Sequence, residues 1–151
     1  MYKFSESSLD TLYTVYGPLQ ALVISVLSNS PHDFGIPDTG GKRTSEEQNK
    51  LFKKNWSKLD GYSKKSYHQT GMAIDIFVYD EHGVCYKCKD KYNDIADIFF
   101  NKFDEMKAIG IFPKKSYLRW GNDWNKNGIP VDLDPDEHFQ DLPHFELRNI
   151  T

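Results

Sequence analysis

Apolar residues recur at helical spacing along the first thirty positions of the chain. The series is interrupted once, at Gly17-Pro18, where a proline suits the first turn of a new helix. We therefore predict two amino-terminal helices, over roughly 7–15 and 18–29. The residues that define the spacing are Leu9, Leu12, Val15, Leu19, Leu22, Val23 and Val26.

Two further helices are predicted later in the chain. Ser45 and Gln48 have the spacing of a capping box, which places a third helix over about 46–55. A fourth helix, over about 92–109, ends at Gly110. Its apolar face consists of Ile95, Ile98, Phe99, Phe103 and Met106.

Short β-branched and aromatic segments predict strands between and after these helices. The clearest is AIDIFVY at 73–79, and shorter ones are DFGI, YLRW and HFEL. A long polar loop covers 121–141, and no βαβ unit is repeated. This order of elements predicts one α+β domain over 1–151, in which helices flank a small antiparallel sheet.

Composition favours a folded protein and argues against a nucleic-acid partner. The 151 residues are 38% hydrophobic and 15% aromatic, which is enough to build a core. The formal net charge is −3, whereas a nucleic-acid binder usually carries a basic face. The apolar run at 19–27 is too short to span a bilayer, and Glu6 and Asp10 precede it. We therefore expect no membrane insertion, no signal peptide and synthesis in the cytoplasm.

The two cysteines, Cys85 and Cys88, form one CxxC motif after a predicted turn, DEHG. A zinc knuckle needs a second cysteine pair, and a thioredoxin-like motif opens a helix in a βαβ unit. We therefore expect a surface hairpin with reduced thiols.

Histidines and aspartates in two distant segments are candidate metal ligands. SYHQTGMAID places His68 seven residues before Asp75, and Gly71 lets the backbone bend between them. DLPHFEL supplies His144, and the preceding Pro143 favours an extended approach to it. Catalytic zinc usually takes three such ligands and keeps a fourth position open. Taken alone, a His/Asp pair such as His68 and Asp75 is more often a structural contact than a metal site.

Three residues near these candidates carry further hypotheses. Asp141, three residues before His144, is placed to take a proton from an attacking water and pass it to a leaving amine. Trp120 and Trp124 either line a substrate groove or pack in the core.

Together the two motifs resemble the M15 family of zinc peptidases. This family includes VanY-type D-Ala-D-Ala carboxypeptidases and phage L-alanyl-D-glutamate endopeptidases. GGKRTSEEQ and RWGNDWN are similar to further blocks of the phage branch, so the resemblance covers nearly the whole chain. It implies a hedgehog/DD-peptidase-like zinc peptidase fold. The motifs that carry it are Ser66-x-His68-x-x-Gly71-x-Ala73-x-Asp75 and Asp141-x-x-His144-Phe145-Glu146.

The resemblance assigns a role to each candidate residue. His68, Asp75 and His144 would bind Zn²⁺, with Asp141 as the general base and then the general acid. Arg43 falls where the family has an arginine near the substrate, and a guanidinium there would stabilise an oxyanion. A surface arginine in a turn is the alternative for Arg43.

The resemblance also implies a biological role. The protein would be a monomeric phage endolysin that cleaves the L-alanyl-D-glutamate bond of peptidoglycan stem peptides. It would be made in the host cytoplasm and would reach the cell wall after the membrane is permeabilised. Two alternatives remain open: a D-alanyl-D-alanine carboxypeptidase of the same fold, and a non-catalytic cell-wall-binding module.

The loop DWNKNGIPVDLD, at 123–134, fits an EF-hand calcium loop in part. Its oxygen-bearing side chains at alternate positions suit Ca²⁺, and the phage branch includes calcium-responsive enzymes. The alternative is a polar loop closed by Asx turns. The ligand candidates are Asp123, Asn125, Asn127 and Asp134, with Asp132, Asp136 or Glu137 as replacements for Asp134.

Overall fold

The computed structural model describes residues 1–128, 131, 133–134 and 139–151. Its helices are α1 (Glu6–Leu12), α2 (Gly17–Asn29), α3 (Ser45–Lys53) and α4 (Lys89–Ala108). Its strands are β1 (Phe34–Gly35), β2 (Ala73–Asp75), β3 (Phe77–Asp80), β4 (Gly83–Cys85), β5 (Tyr117–Gly121) and β6 (Asp141–Arg148). A short 3₁₀ helix, Tyr67–Thr70, precedes β2. The predicted α+β class with antiparallel strands and flanking helices is confirmed.

The strands form two small antiparallel sheets rather than one. The first has the order β1-β3-β4 and the second β2-β6-β5. The prediction of a single strand over 73–79 was wrong, because the chain passes from one sheet to the other within this segment. Asp75 pairs with β6 in the second sheet, whereas Phe77 pairs with β1 in the first. The crossing at Ile76 is held by its amide, which donates to Pro143 O at 3.0 Å.

Aromatic stacking fixes β6 against the helices. α2 packs on α4, and α4 contacts both β5 and β6. Phe99 of α4 stacks on the fully buried Phe145 of β6 with 4.0 Å between ring centroids, and Trp120 of β5 stacks on Phe145 at 6.0 Å. The Trp120 indole donates to Leu142 O at 2.8 Å, so this tryptophan packs in the core. Burial of one such ring contributes about 1.5–3 kcal/mol.

Helix α3 begins one residue earlier than predicted. Its capping box pairs Thr44 with Glu47 rather than Ser45 with Gln48. Thr44 has the extended backbone of a cap, and its hydroxyl accepts from the Glu47 amide at 3.1 Å. Gln48 is therefore left to point inward, where it is fully buried.

The prediction of reduced thiols was wrong, because Cys85 and Cys88 form a disulfide. Cys85 ends β4 and Cys88 caps the start of α4, so the intervening turn brings their Cα atoms to 5.8 Å. This separation is within the range that a disulfide spans. The expected hairpin is present, since β3 pairs with β4 around a turn before Gly83. Within the described part of the chain, no helix has both the length and the apolar character needed to cross a bilayer.

Candidate active site

Three predicted ligand atoms meet at one point beside the second sheet. His68 Nε2 lies 3.2 Å from Asp75 Oδ1 and 3.2 Å from His144 Nδ1, and the last two atoms are 3.0 Å apart. A tetrahedral zinc site with bonds of ~2.1 Å has ligand–ligand edges of about 3.4 Å. The observed spacing is therefore close to that of three corners of a zinc tetrahedron. Among the described residues, these three form a cluster whose donor atoms fit one metal ion.

The sequence between the ligands explains how they meet. The Ser66 hydroxyl caps the 3₁₀ helix by accepting from the His68 amide at 3.2 Å. Gly71 ends this helix in the left-handed conformation, with φ 74°, which a side chain would disfavour. Strand β2 then places Asp75 directly opposite His144 of β6. Two of the ligands are thus held by antiparallel pairing and the third by a capped turn.

Each ligand is held from behind by a second hydrogen bond. The Nδ1–H group of His68 donates to Gly41 O at 2.9 Å, and the Nε2–H group of His144 donates to Glu146 at 2.9 Å. Proton positions are inferred from these partners. With these protons on the outer nitrogens, both inner nitrogens are available to a metal ion at the shared point once the inner proton of His144 has left. Two ring nitrogens and a carboxylate oxygen this close together need a proton or a metal ion between them, and outer hydrogen bonds of this kind are typical of metal-binding histidines.

The pKa values of the three ligands reflect this crowding. Burial lowers the pKa of His68, which keeps that ring neutral. Burial opposes ionisation of Asp75, but the charges and hydrogen bonds of His68 and His144 outweigh it and hold the carboxyl pKa well below its usual range. For His144, burial is outweighed by the hydrogen bonds that its ring donates to Asp75 and Glu146, which raise its pKa to about 10. In the metal-free protein, His144 therefore carries a proton that it shares with Asp75.

Asp141 opens β6 and lines the same groove as the three ligands, a cavity of about 500 Å³. It pairs with Gly121 across a β-bulge, where a Cβ on residue 121 would lie 2.0 Å from Asp141 O. Only a glycine permits this approach. Burial, together with the charge of Asp75, raises the pKa of Asp141 to about 6. A carboxyl with this pKa is ionised at neutral pH and still able to carry a proton.

Arg43 contacts the outer oxygen of a predicted ligand. Its Nη2 donates to Asp75 Oδ2 at 2.8 Å, its Nη1 to Gln48 Oε1 at 3.0 Å and its Nε to Thr39 O at 2.7 Å. The side chain is 10% exposed and lines the groove. The guanidinium thus holds the Asp75 carboxylate in place, a role that the sequence did not suggest.

Two other residues, Glu146 and Gln48, were given no role in this site from the sequence. Glu146 accepts a hydrogen bond from His144. Residues two positions apart in a strand lie on the same face of the sheet, so the sequence could have indicated that these two side chains are neighbours. Gln48 holds Arg43, and nothing in its sequence context indicates that contact. Trp124 lines the groove, with its ring centroid 5.4 Å from that of His144.

The described part of the predicted calcium loop is closed by its own hydrogen bonds. The Asp123 carboxylate accepts from the amides of Asn127 and Gly128, at 3.1 and 3.0 Å. Asp134 is 5% exposed and accepts from the side-chain amides of Asn125 and Asn127, at 2.9 and 2.7 Å. These bonds match the alternative of a loop closed by Asx turns. The replacement ligands lie outside the described residues: Asp132, Asp136 and Glu137.

A family comparison accounts for this arrangement. The chain matches the family described as phage L-alanyl-D-glutamate peptidase over residues 1–148. The chain belongs to this family. The membership confirms the resemblance drawn from the two motifs and makes the protein one of a group of phage peptidases.

A solved structure shares the fold of this phage peptidase family member. The crystal structure of Serratia marcescens L-Ala D-Glu endopeptidase ChiX matches 97% of this chain and 90% of that chain, with a TM-score of 0.69 and 21% sequence identity. At this identity the likeness shows the common fold. A comparison with curated protein sequences gave no match.

Proposed function

We propose that this protein is a zinc-dependent endopeptidase that cleaves the L-alanyl-D-glutamate bond of peptidoglycan stem peptides. The observation that carries the proposal is the convergence of the inner atoms of His68, Asp75 and His144, with each side chain held from behind by a further hydrogen bond. Family membership supports the choice of bond.

The donor set suits zinc better than the common alternatives. Two imidazole nitrogens and one carboxylate oxygen are typical of catalytic zinc, whereas Ca²⁺ and Mg²⁺ prefer sites built from oxygen alone. When bound, zinc supplies Lewis-acid polarisation of the scissile carbonyl and lowers the pKa of the attacking water.

The remaining chemistry belongs to the side chains of the groove. Asp141 takes the proton of the attacking water and then donates it to the leaving amine, for which a pKa of about 6 is well matched. Arg43 keeps the Asp75 carboxylate in place and adds a fixed positive charge beside the carbonyl oxygen as it becomes negative.

In biological terms we propose that the protein acts as a monomeric endolysin in phage-induced lysis of the host. It would be made in the host cytoplasm and would reach peptidoglycan once the membrane has been permeabilised. The groove beside the proposed zinc ligands, about 500 Å³ in volume, is where the stem peptide would bind. We make no calcium requirement part of this proposal.

The test is digestion of purified peptidoglycan, with and without a zinc chelator, followed by mass spectrometry of the fragments. We expect chelator-sensitive release of fragments with a free D-Glu amino terminus. Release of terminal D-Ala alone would instead make the protein a carboxypeptidase. A folded, zinc-loaded sample that binds the polymer without cleaving it would support the wall-binding alternative.

Asp141→Asn and His68→Ala provide matched controls for this digestion. Asp141→Asn should retain zinc and lose cleavage, because Asp141 is not a proposed zinc ligand. His68→Ala should lose both zinc and cleavage, because His68 is a proposed ligand. Zinc content measured beside activity therefore separates a failure of chemistry from a failure of metal binding. Cleavage by the zinc-free His68→Ala variant would contradict the proposal.

A further inference from the structure

The groove beside the zinc ligands is basic, although the whole protein is acidic. Five cationic side chains line it against three carboxylates, whereas the full chain has a net charge of −3. Local positive charge of this kind attracts an anionic ligand. The five cations are Arg43, Lys58, Lys65, Arg119 and Arg148.

Two of these cations are fixed in place by one carboxylate. Arg148 Nε donates to Glu146 Oε2, and Arg119 Nη1 lies 3.9 Å from the same oxygen. The Arg119 Nε donates to Trp124 O at 2.7 Å. The other oxygen of Glu146 accepts from His144 at 2.9 Å, so Glu146 links the arginine pair to a proposed zinc ligand.

Aromatic rings support both guanidinium groups. The Arg148 Cζ lies 3.9 Å from the ring centroid of Tyr67, and the Arg119 Cζ lies 5.0 Å from that of Trp124. Stacking of this kind orients a guanidinium plane, which a lysine does not offer. Lys58, by contrast, holds only a single ammonium over Phe139, at 4.9 Å. The arginines are therefore the pre-organised cations of the groove.

Both arginines keep donors for a ligand. Among the described residues, Nη2 of Arg119 and both Nη atoms of Arg148 make no hydrogen bond. The side chains are 25% and 24% exposed and face the groove. Two positive charges share the single negative charge of Glu146, which leaves an excess positive charge at this point. A planar carboxylate matches such an edge of paired N–H donors.

We propose that Arg119 and Arg148 form a subsite for a free carboxylate next to the scissile bond of the substrate. This inference rests on the proposed function. D-Glutamate that continues the peptide through its γ-carboxyl keeps its α-carboxylate free, on the carbon bonded to the scissile nitrogen. Glu146 connects the pair to His144, and both arginines line the groove that contains the proposed zinc ligands, so a carboxylate bound there would lie near the reacting bond.

The test compares two short peptides that differ only at this carboxylate. One contains L-Ala-γ-D-Glu-L-Lys, and the other carries an α-amide on the same D-glutamyl residue. Dissociation constants are measured by calorimetry with the zinc-loaded Asp141→Asn protein as the parent, and kcat/KM is measured with the wild type. We expect the parent to bind the carboxylate peptide about 10- to 100-fold more tightly, the range for hydrogen bonds to a charged group.

Substitutions of Arg119 and Arg148 test whether these two residues cause the preference for the carboxylate peptide. Arg119→Gln and Arg148→Gln, each in the parent, should bring the ratio of the two constants close to one. Arg148→Lys, which keeps the charge and loses the planar fork, should give an intermediate ratio. Lys58→Gln is the control, because it removes a groove cation that does not contact Glu146, and its ratio should equal that of the parent. Melting temperature and zinc content of every variant confirm folding.

The ratio separates recognition from a purely structural role. If the arginines only hold Glu146, their variants will weaken both peptides equally, and the proposal is overturned. It is also overturned if the parent binds the two peptides equally or binds neither. A normal binding ratio without cleavage by the wild type would refute the proposed endopeptidase activity and leave the carboxylate subsite standing.

Discussion

Arg43 Nη2 donates to Asp75 Oδ2 at 2.8 Å, while the other oxygen of that carboxylate faces His68 and His144. The guanidinium therefore sets the angle at which Asp75 presents Oδ1 to a metal. Outer partners of this kind typically change metal affinity by about 10- to 100-fold when removed. We predict that Arg43→Gln weakens zinc binding by a factor in that range.

Competition with a chromophoric chelator measures this affinity directly. Lys42→Gln is the matched control, since Lys42 is the exposed neighbour and makes no side-chain contact with the ligands. Turnover at saturating zinc gives a second readout. Recovery of kcat would mean that Arg43 only positions Asp75, whereas a persistent loss would place its charge at the reacting carbonyl. Unchanged zinc affinity would contradict the positioning role.

The catalytic role of Asp141 should be separable from zinc binding. We predict that Asp141→Asn retains the metal and lowers kcat by about 10²- to 10⁴-fold, because an amide cannot accept the proton of water. In the wild type, kcat/KM should fall as the pH drops below about 6, where the carboxyl becomes protonated. A pH–rate profile of the wild type and a metal assay of the variant provide the check. A variant with normal turnover would place the general base elsewhere.

The sequence predicted the residues of this site better than the contacts that hold them. His68, Asp75 and His144 were found because their spacing matched a motif, and the structure brings them together. Arg43 was also named as a candidate, but the residue that it contacts, Asp75, lies 32 positions later in the chain. Such long-range pairing leaves no local periodicity to read.

The errors in the fold have similar causes. Residues 73–79 carry an uninterrupted strand pattern, since both halves of the segment are buried in sheets, and the change of sheet at Ile76 has no local signal. Hydrophobic periodicity located α2 and α4 well, because their buried faces repeat over several turns. The prediction of reduced thiols followed from the rarity of disulfides in the cytoplasm, whereas the short turn between Cys85 and Cys88 brings the two side chains close enough to pair.

Zinc affinity should rise with pH over the neutral range. The pKa of His144 is raised to about 10, so the metal-free ring is protonated at neutral pH, and this proton must leave when a metal binds. We expect affinity to rise about tenfold per pH unit between about pH 7 and 9. His68 adds no such dependence, because its pKa is lowered.

Chelator competition at several pH values, corrected for protonation of the chelator, measures this slope. Glu146→Gln should flatten it, because a neutral amide oxygen stabilises the protonated ring less than the carboxylate whose hydrogen bond raises the pKa of His144. Calorimetry in buffers of different ionisation enthalpy should independently detect about one proton released per zinc. A slope near zero in the wild type would show that His144 is already neutral.

The loop at 123–134 poses a choice between a calcium site and a self-closed turn. Asp123 and Asp134 both accept hydrogen bonds from within the loop, and these bonds would give way to metal contacts if calcium bound. A calcium site would be detected as a rise in melting temperature on addition of Ca²⁺, and Asp123→Ala would abolish this rise without removing zinc. Asp90→Ala, at an acidic residue in the first turn of α4, is the control and should respond as the wild type does. If the wild type shows no change in melting temperature with Ca²⁺, the loop is a polar loop closed by Asx turns. Asp123→Ala should then only destabilise the loop.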